Sequence, residues 1–263
     1  MEEKLNCLKE ILAGMGSVLV AYSGGVDSTF LLKVASDVLG VKALAVIGDS
    51  RTLPSDEKRA AIEIAKKLNV RCLVIESREI SNPEFAANSK DRCYWCKSEL
   101  FSRLRGIAEH EHILHIVDGS NADDRSDYRP GARAANECGV RSPLQEAGLT
   151  KEEIRTLSRA MGLPTWNKPS MACLSSRIPY GEKITEEKLE KVEKAEKILK
   201  SLGFSQVRVR HHNETARVEV AESDIPRLAE PDLRKEIVAR LKAVGYRYIA
   251  LDLEGYRTGS MNL

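Results

Sequence analysis

The sequence predicts a protein in two parts: an α/β domain with a doubly wound parallel sheet, followed by a smaller α+β domain. Short apolar runs alternate with helical stretches over the first two-thirds of the 263 residues, a pattern typical of βαβ units. Prolines and glycines then interrupt the chain at residues 164–181, as they do in linkers between domains. Beyond that segment, strands that alternate apolar and polar residues replace the continuous apolar runs.

The composition is that of an ordinary globular protein. The chain has 41 basic and 39 acidic residues, a net charge of +2, and 42% hydrophobic residues. This balance argues against a nucleic-acid partner but allows a local basic pocket. No apolar run approaches the roughly 18 residues of a membrane span, and Met1–Lys4 lacks the layout of a signal peptide. Six cysteines in a chain of this length do not suggest a disulfide framework. We therefore expect a reduced, cytoplasmic protein with no membrane partner.

The first domain is expected to span residues 1–180. Its predicted strands are Ser17–Tyr22, Ala43–Ile47, Cys72–Ile75 and Ile113–Val117, and its helices are Asp27–Leu39, Ser55–Leu68, Tyr94–Glu109 and a helix from Thr150 to Met161. The continuous apolar character of Ser17–Tyr22 suits a strand that is buried on both faces, and Thr150 with Glu153 forms a capping box. The stretch between Asp118 and Pro143 is expected to be rich in loops.

The second domain is expected to span residues 181–263, with a role in substrate binding or oligomerisation. Its predicted elements are a charged helix from Thr185 to about Leu202, strands Gln206–Arg210 and Ala216–Val220, helix Leu233–Val244 and strand Tyr246–Leu253. This order suggests a small antiparallel sheet with helices on one face.

A phosphate-binding loop is predicted between the first strand and the first helix, where the chain reads Ala-Tyr-Ser-Gly-Gly-Val-Asp-Ser over residues 21–28. Glycines let the backbone approach an anion, and the N–H groups and dipole of the following helix favour phosphate. The loop lacks the Gly-Lys-Ser/Thr ending of a Walker motif. The alternative is a tight strand-to-helix turn. The residues predicted to bind the anion are Ser23, Gly24, Gly25, Val26, Asp27 and Ser28.

This loop resembles that of the PP-loop ATP pyrophosphatases, which have an adenine nucleotide α-hydrolase-like fold. They split ATP into AMP and pyrophosphate to adenylate an oxygen that a nucleophile then replaces. Two further segments, Asp118–Asp124 with Arg129–Gly131 and Ala172–Gly181, are similar to the LarE family, the ATP-dependent sulfur transferases that build the nickel-pincer nucleotide cofactor. The resemblance extends to Gly255–Ser260 and so covers nearly the whole chain.

The resemblance implies the ligands. ATP would contact Asp49, Ser50 and Gly119 in addition to the loop, and Asp27 would assist Mg²⁺ or the loop geometry. For Asp49 and Ser50 the alternative is a plain loop that leads into a helix. The implied substrate is a small anionic pyridinium mononucleotide, pyridinium-3,5-biscarboxylic acid mononucleotide, which would leave with a thiocarboxylate. We also expect a homo-oligomer.

The six cysteines fall into two groups. Cys7, Cys72 and Cys138 are expected to be small core residues. The others lie in loops or at the expected start of a helix: Cys93 and Cys96 form a Cys-x-x-Cys pair, and Cys173 follows Lys168 and precedes Arg177, whose charges would favour a thiolate. A Cys-x-x-Cys pair can be a redox dithiol or half of a zinc site.

The resemblance adds a third interpretation. Some family members have a cysteine matching Cys173 that gives up its own sulfur, and others carry three cysteines thought to hold a [4Fe–4S] cluster. This chain has the second pattern, so Cys93, Cys96 and Cys173 are the predicted cluster ligands. A sacrificial Cys173 remains the alternative.

The substrate contacts are predicted in the second domain. In Val207–His211 the strand period places Arg208 and Arg210 on one face, where two guanidinium groups could bind phosphate or carboxylate. A solvated sheet face is the alternative. Arg177 is a further candidate, and so is Trp95, which could stack on a pyridinium ring.

Two other functions compete with sulfur transfer to this substrate. One is a tRNA-thiolating or amidating relative within the same superfamily, although the charge of +2 disfavours RNA. The other is a non-catalytic nucleotide- or metal-binding module, which the intact phosphate loop disfavours.

Overall fold

A computed structural model describes residues 1–126, 130–169 and 172–257 of the chain. They form two compact units, one of residues 1–82 and 91–169 and the other of residues 83–90 and 172–257. The sequence placed the boundary between residues 180 and 181, whereas the compact units divide before Ala172. Within the described ranges, none of the helices combines the length and apolar character needed to cross a bilayer.

In the described part of the first unit, helices and strands alternate as far as the fourth strand, and three helices follow it. The strands are β1 Val18–Ala21, β2 Ala43–Asp49, β3 Arg71–Glu76, β4 His115–Val117, β5 Val207–His212, β6 Thr215–Val220 and β7 Tyr248–Leu251. The helices are α1 Glu2–Met15, α2 Val26–Leu39, α3 Ser55–Lys67, α4 Pro83–Ala86, α5 Arg92–His110, α6 Pro130–Glu137, α7 Pro143–Glu146, α8 Lys151–Ala160, α9 Glu186–Ser201, α10 Ile225–Leu228 and α11 Pro231–Ala243.

The first unit holds a four-stranded sheet in the order β3-β2-β1-β4, and every neighbouring pair is parallel. Successive side chains of β1 point to opposite faces: Val18 and Val20 join one buried cluster with residues of α1, α2, α3 and α8. Leu19 joins another cluster with residues of α5 and α6. Helices therefore cover both faces, which confirms the predicted α/β class.

The order of the strands creates a crevice at one edge of this sheet. From β1 the chain adds β2 and β3 on one side and then returns to add β4 on the other. The chain leaves the carboxyl ends of β1 and β4 towards opposite faces of the sheet. In open α/β sheets, ligands bind in the crevice between two such strands. The phosphate loop follows β1, and Gly119 follows β4.

The stretch between Asp118 and Pro143 contains more regular structure than predicted. It includes α6, whose Ala134 and Ala135 are buried. Pro130 obscured this helix in the sequence, but a proline is tolerated in the first turn, where its missing N–H would have no helical partner.

The second unit holds a three-stranded sheet in the order β5-β6-β7. β5 and β6 are antiparallel, as predicted, but β6 and β7 are parallel, so the sheet is mixed and the prediction of an antiparallel sheet is wrong. Because α11 separates β6 from β7, the last strand can return in either direction.

Residues 83–90 belong to the second unit although the segments before and after them in the chain belong to the first. The buried side-chain amide of Asn88 donates to the carbonyl oxygens of Pro179 at 2.7 Å and Glu182 at 3.0 Å. The backbone N–H of Ile184 donates to the carbonyl of Ala86. These bonds tie the segment to the loop that precedes α9.

Candidate functional site

The phosphate loop is the turn that joins β1 to α2. Gly24 has a φ of +70°, and a Cβ there would stand 2.5 Å from the Cβ of Ala61, so the turn requires glycine for both conformation and space. The hydroxyls of Ser23 and Ser28 form a hydrogen bond of 3.0 Å that joins the two ends of the loop. Gly25 is the N-cap of α2, and the first N–H groups of a helix lack helical acceptors. The loop therefore presents donors and a positive helix end to an anion.

Gly119 lies directly against the start of α2. A Cβ at this position would stand 2.9 Å from the backbone N of Ser28 and 3.3 Å from the carbonyl carbon of Asp27. Both atoms belong to the backbone, so no side-chain rotation could make room. This close approach brings the loop after β4 to the predicted phosphate site and gives a physical reason for glycine here.

Asp27 has one satisfied and one unsatisfied carboxylate oxygen. Oδ2 accepts a hydrogen bond from Lys151 Nζ at 2.5 Å, whereas Oδ1 is buried and has no hydrogen-bond partner among the residues that the structure describes. An unpartnered buried carboxylate oxygen is costly, and carboxylate oxygens are ligands that Mg²⁺ prefers. Asp27 therefore has the chemistry for the first of its two expected roles, assistance to Mg²⁺, and the role itself stays a prediction.

A second lysine contacts the same loop. Lys168 Nζ donates to the carbonyl oxygen of Gly24 at 2.9 Å and lies 2.6 Å from Glu57 Oε2. In the sequence Lys168 stands out only as a neighbour of Cys173, and Lys151 is not among the predicted site residues. One signal is present for Lys151: it occupies the first turn of α8, where the helix dipole disfavours a cation.

Asp49 and Ser50 lie at the carboxyl end of β2. Asp49 Oδ1 accepts from Lys58 Nζ at 2.7 Å. Ser50 Oγ donates to Glu79 Oε1 and accepts from the backbone N–H of Thr52 at 2.9 Å. Glu79 is only 1% exposed and was missed from the sequence. Its carboxylate accepts from the hydroxyls of Ser50 and Thr52, which belong to the loop after β2.

The Cys-x-x-Cys pair lies near the start of α5, with Cys93 in its first turn and Cys96 in its second. Cys93 is exposed and Cys96 is half-buried, and residues three apart lie on the same side of a helix. Trp95, between them, stacks edge-on against Tyr94 with ring centroids 5.1 Å apart. The predicted stacking of Trp95 on a pyridinium ring stays a prediction.

The prediction of a core position for Cys7 is wrong, because its side chain is exposed. The buried residues of α1 are Leu8, Leu12 and Met15, and Cys7 lies off that stripe. Cys72 and Cys138 are half-buried, and burial raises the pKa of the Cys72 thiol, as expected of an unreactive structural cysteine.

Cys173 lies in the second unit, at the start of a tight turn over Leu174–Arg177. Its side chain is exposed, and its carbonyl oxygen accepts from Arg177 Nη1 at 2.8 Å. Arg177 is 1% exposed, and its Nε and Nη2 donate to the two carboxylate oxygens of Glu196. A guanidinium engaged in this way fixes the turn that presents the thiol. The predicted contact of Arg177 with substrate stays a prediction.

Arg210 has a similar arrangement on β5. Its Nε and Nη2 donate to the carboxylate of Glu219 at 2.8 and 2.7 Å, and its Nη1 donates to the carbonyl of Ser176 at 3.0 Å. Arg210 is 5% exposed and Glu219 fully buried. This sheet face is therefore not the solvated face that was considered as the alternative.

Arg208 differs from its neighbours. Its Nη1 donates to the carbonyl of Val207, and its guanidinium lies 5.2 Å from the ring centroid of Tyr256. Burial lowers the pKa of Arg208, and the positive charge of Arg177 lowers it further. No carboxylate among the described residues forms an ion pair with it. Arg208 is thus a partly desolvated cation available to an anionic ligand.

The described residues do not include a group of three or more histidine, cysteine, aspartate or glutamate side chains placed to hold one metal ion. Thiolates are the usual ligands of iron–sulfur clusters, so Cys93, Cys96 and Cys173 suit a cluster by their chemistry. The cluster stays a prediction.

Comparison with known proteins extends these observations. The chain is 39% identical to the pyridinium-3,5-bisthiocarboxylic acid mononucleotide synthase of Lactiplantibacillus plantarum, over 95% of this chain and 91% of that protein. The chain belongs to the LarE family. It is also 43% identical to an uncharacterised protein of Synechocystis, over all of this chain and 98% of that protein.

Two further matches are more distant. A family model described as NAD synthase matches residues 2–122, which include the phosphate loop and Gly119. A glutamine-hydrolysing GMP synthase component of Sulfurisphaera tokodaii is 27% identical over 76% of this chain and 58% of that protein. The match to the family model thus covers the part of this chain that contains the predicted phosphate loop.

Proposed function

We propose that this LarE family member is an ATP-dependent sulfur transferase. It adenylates a carboxylate of pyridinium-3,5-biscarboxylic acid mononucleotide and converts that group to a thiocarboxylate. The observation that carries the proposal is the phosphate loop itself, with Gly119 against its backbone and an Asp27 oxygen that none of the described residues hydrogen-bonds. The name of the relative from Lactiplantibacillus plantarum supplies the substrate class.

The chemistry requires activation because a carboxylate is a poor electrophile. One carboxylate oxygen of the substrate attacks the α-phosphorus of ATP, and the bond from that phosphorus to the bridging oxygen of pyrophosphate breaks. Pyrophosphate leaves with the electron pair. A sulfur nucleophile then attacks the acyl carbon and AMP leaves. Donors aimed at the phosphates stabilise the charge that develops in the first step.

Asp27 would hold Mg²⁺, which neutralises phosphate charge when it is bound with ATP. The residues of the loop contribute orientation. The hydroxyls of Ser23 and Ser28 hydrogen-bond to each other at 3.0 Å across the loop. Gly24 and Gly119 have no Cβ, so neighbouring segments can approach closely at both positions. The N-terminus of α2 faces the expected position of the anion. Asp49 and Ser50 are the proposed contacts for the adenosine part, with Ser50 held by Glu79.

Arg208 is the proposed anchor for the anionic substrate. Arg177 and Arg210 each form an ion pair with a buried carboxylate. Among the described residues, Arg208 has no such ion pair to balance its charge. A desolvated cation of this kind binds phosphate or carboxylate strongly because water competes weakly for it.

The sulfur source has two candidates. One is a [4Fe–4S] cluster with Cys93, Cys96 and Cys173 as ligands, and the other is the sulfur of Cys173 itself. The exposure of Cys93 and Cys173 is compatible with both, since either role requires an accessible thiol. Arg177 donates to the carbonyl oxygen of Cys173 and so fixes the turn that carries the thiol, which supports a functional role for Cys173 in either case.

Exchange of labelled pyrophosphate into ATP tests the adenylation step. We expect exchange that depends on the pyridinium substrate, and its loss in Asp27→Asn, since the variant removes the charge that would hold the metal. Asp37→Asn is the matched control, because Asp37 lies on the same helix and pairs with Lys33 at its exposed surface. Substrate-dependent exchange at the wild-type rate in Asp27→Asn would remove this carboxylate from the mechanism. Exchange that depends on a tRNA would favour the thiolating alternative.

Iron analysis after anaerobic purification separates the two sulfur sources. With a cluster, the wild-type protein contains about four irons, and Cys93→Ala, Cys96→Ala and Cys173→Ala each lose them. Cys7→Ala, which changes an exposed cysteine outside this set, keeps them. If iron is absent and Cys173 loses the mass of one hydrogen sulfide as one thiocarboxylate forms, the cysteine is sacrificial and the cluster proposal fails.

A further inference from the structure

Tyr256 contacts the guanidinium group of Arg208, the proposed anchor for the substrate. The centre of its ring lies 5.2 Å from that group, within the distance of about 6 Å at which an aromatic face attracts a cation. In the sequence, Tyr256 stands out only as part of the segment Gly255–Ser260. The structure thus gives this tyrosine a partner that the strand pattern does not indicate.

The backbone fixes Tyr256 at one end of the second sheet. Its N–H donates to the carbonyl oxygen of Val220, the last residue of β6, at 2.8 Å. Val220 lies opposite Val207 in the register of β5 and β6, so Tyr256 and the residue before Arg208 flank the same position of β6. Gly255 permits this approach, because its φ is +69° and a Cβ there would stand 2.9 Å from the carbonyl oxygen of Val220.

The ring holds Arg208 in a different way from the partners of the neighbouring arginines. Carboxylates form ion pairs with Arg177 and Arg210 and so occupy their N–H groups. Within the described ranges, the guanidinium of Arg208 makes one hydrogen bond, from Nη1 to the carbonyl oxygen of Val207 at 2.8 Å. An aromatic face attracts the positive charge without neutralising it. A guanidinium has five N–H donors, so donors of Arg208 are left for a ligand.

We propose that Tyr256 is a positioning residue that holds the guanidinium of Arg208 in place for an anionic group of the substrate. This inference rests on the proposed function and adds a residue to its substrate site. Ordering a long arginine side chain when a ligand binds costs affinity, and the ring orders it beforehand. Burial and the charges of Arg177 and Arg210 lower the pKa of Arg208, and the contact with the ring offsets part of that penalty.

Calorimetry with pyridinium-3,5-biscarboxylic acid mononucleotide, in the absence of ATP, tests this inference without turnover. In Tyr256→Leu we expect the affinity for the mononucleotide to fall about three- to tenfold, the effect of losing one cation–π contact at a partly buried guanidinium. Tyr256→Phe keeps the ring and binds the mononucleotide as the wild type does. The affinity for ATP, measured separately, stays unchanged in both variants, because ATP is expected at the phosphate loop of the first unit.

Two further proteins make the result specific. Tyr248→Leu is the matched control, because the guanidinium of Arg247 lies 5.4 Å from the ring centroid of Tyr248 in the same unit and neither residue belongs to the proposed site. It should leave the affinity for the mononucleotide unchanged. The double variant Arg208→Ala with Tyr256→Leu should bind the mononucleotide as Arg208→Ala alone does, since a positioning residue has no effect once the group that it positions is gone.

The other outcomes overturn the inference. Wild-type affinity in Tyr256→Leu would show that the ring does not act on the site, and an equal loss in Tyr256→Phe would assign the effect to the hydroxyl group. Additive losses in the double variant would indicate that Tyr256 acts independently of Arg208. If the wild-type protein does not bind the mononucleotide, the proposed function itself fails and the inference fails with it. If the wild type binds it and Tyr256→Leu binds it equally well, only the inference fails.

Discussion

Replacement of Gly119 by alanine is the sharpest perturbation of the phosphate site. The added Cβ would stand 2.9 Å from Ser28 N, 3.2 Å from Ser28 Cα and 3.3 Å from the carbonyl carbon of Asp27. Ordinary contact begins at 3.4 Å, so the nearest atom must withdraw by about 0.5 Å. All three atoms belong to the backbone that begins α2, and the whole loop must therefore shift.

The expected effect follows from that displacement. A misplacement of about 1 Å can cost 10²-fold in rate, so a shift of half that size predicts a loss of about tenfold in kcat/KM for ATP. Overpacking should also lower the free energy of unfolding by about 1–3 kcal/mol. Steady-state pyrophosphate release measures the first quantity, and urea denaturation measures the second.

Gly106→Ala is the matched control for this variant. Gly106 lies inside α5, and a Cβ there would meet nothing within 4 Å. We expect unchanged activity and a gain of about 1 kcal/mol in stability from helix propensity. Wild-type kcat/KM for ATP in Gly119→Ala would refute the reasoning that the loop after β4 presses on the phosphate loop.

Three further predictions concern the substrate, acid stability and the thiols. Arg208→Ala should raise KM for the pyridinium substrate about tenfold or more, with KM for ATP nearly unchanged, as steady-state kinetics would show. The same KM in the variant as in the wild type would contradict a substrate contact by Arg208. Hydrogen bonds, chiefly from Lys4, lower the pKa of Glu153 from 4.5 to about 2. Its stabilising contribution is therefore complete above pH 4.5 and disappears as the pH falls towards 2, so Tm should fall less steeply with acid in Glu153→Gln; parallel curves would contradict this. In iron-free protein, iodoacetamide should modify Cys173 faster than Cys72, since Cys173 is exposed and burial raises the pKa of the Cys72 thiol. Peptide mass analysis measures the two rates, and faster modification of Cys72 would contradict the prediction.

The strands of the first sheet and the glycine turn after β1 could be predicted from the sequence. A strand buried on both faces has a continuous apolar run, and β1 lies within the predicted Ser17–Tyr22. Gly24 marks a turn that needs close packing and a positive φ, and the helix that follows has an apolar stripe. These are local signals, and the structure follows them closely.

The contacts that join distant segments could not be derived in this way. In the register of β5 and β6, Glu219 lies opposite Arg208, yet its carboxylate binds Arg210 on the diagonal. Alternation gives the face of each side chain but not its partner. Lys151 and Lys168 reach the loop from more than a hundred residues away, and nothing in their local sequence specifies that meeting.

Product analysis after a single incubation tests the central proposal most directly. The protein is given ATP, Mg²⁺ and pyridinium-3,5-biscarboxylic acid mononucleotide, and the mixture is analysed by mass spectrometry. The account predicts a product in which sulfur replaces one carboxylate oxygen, with AMP and pyrophosphate formed in equal amounts. An unchanged substrate, with ATP either intact or converted to ADP and phosphate, would contradict it.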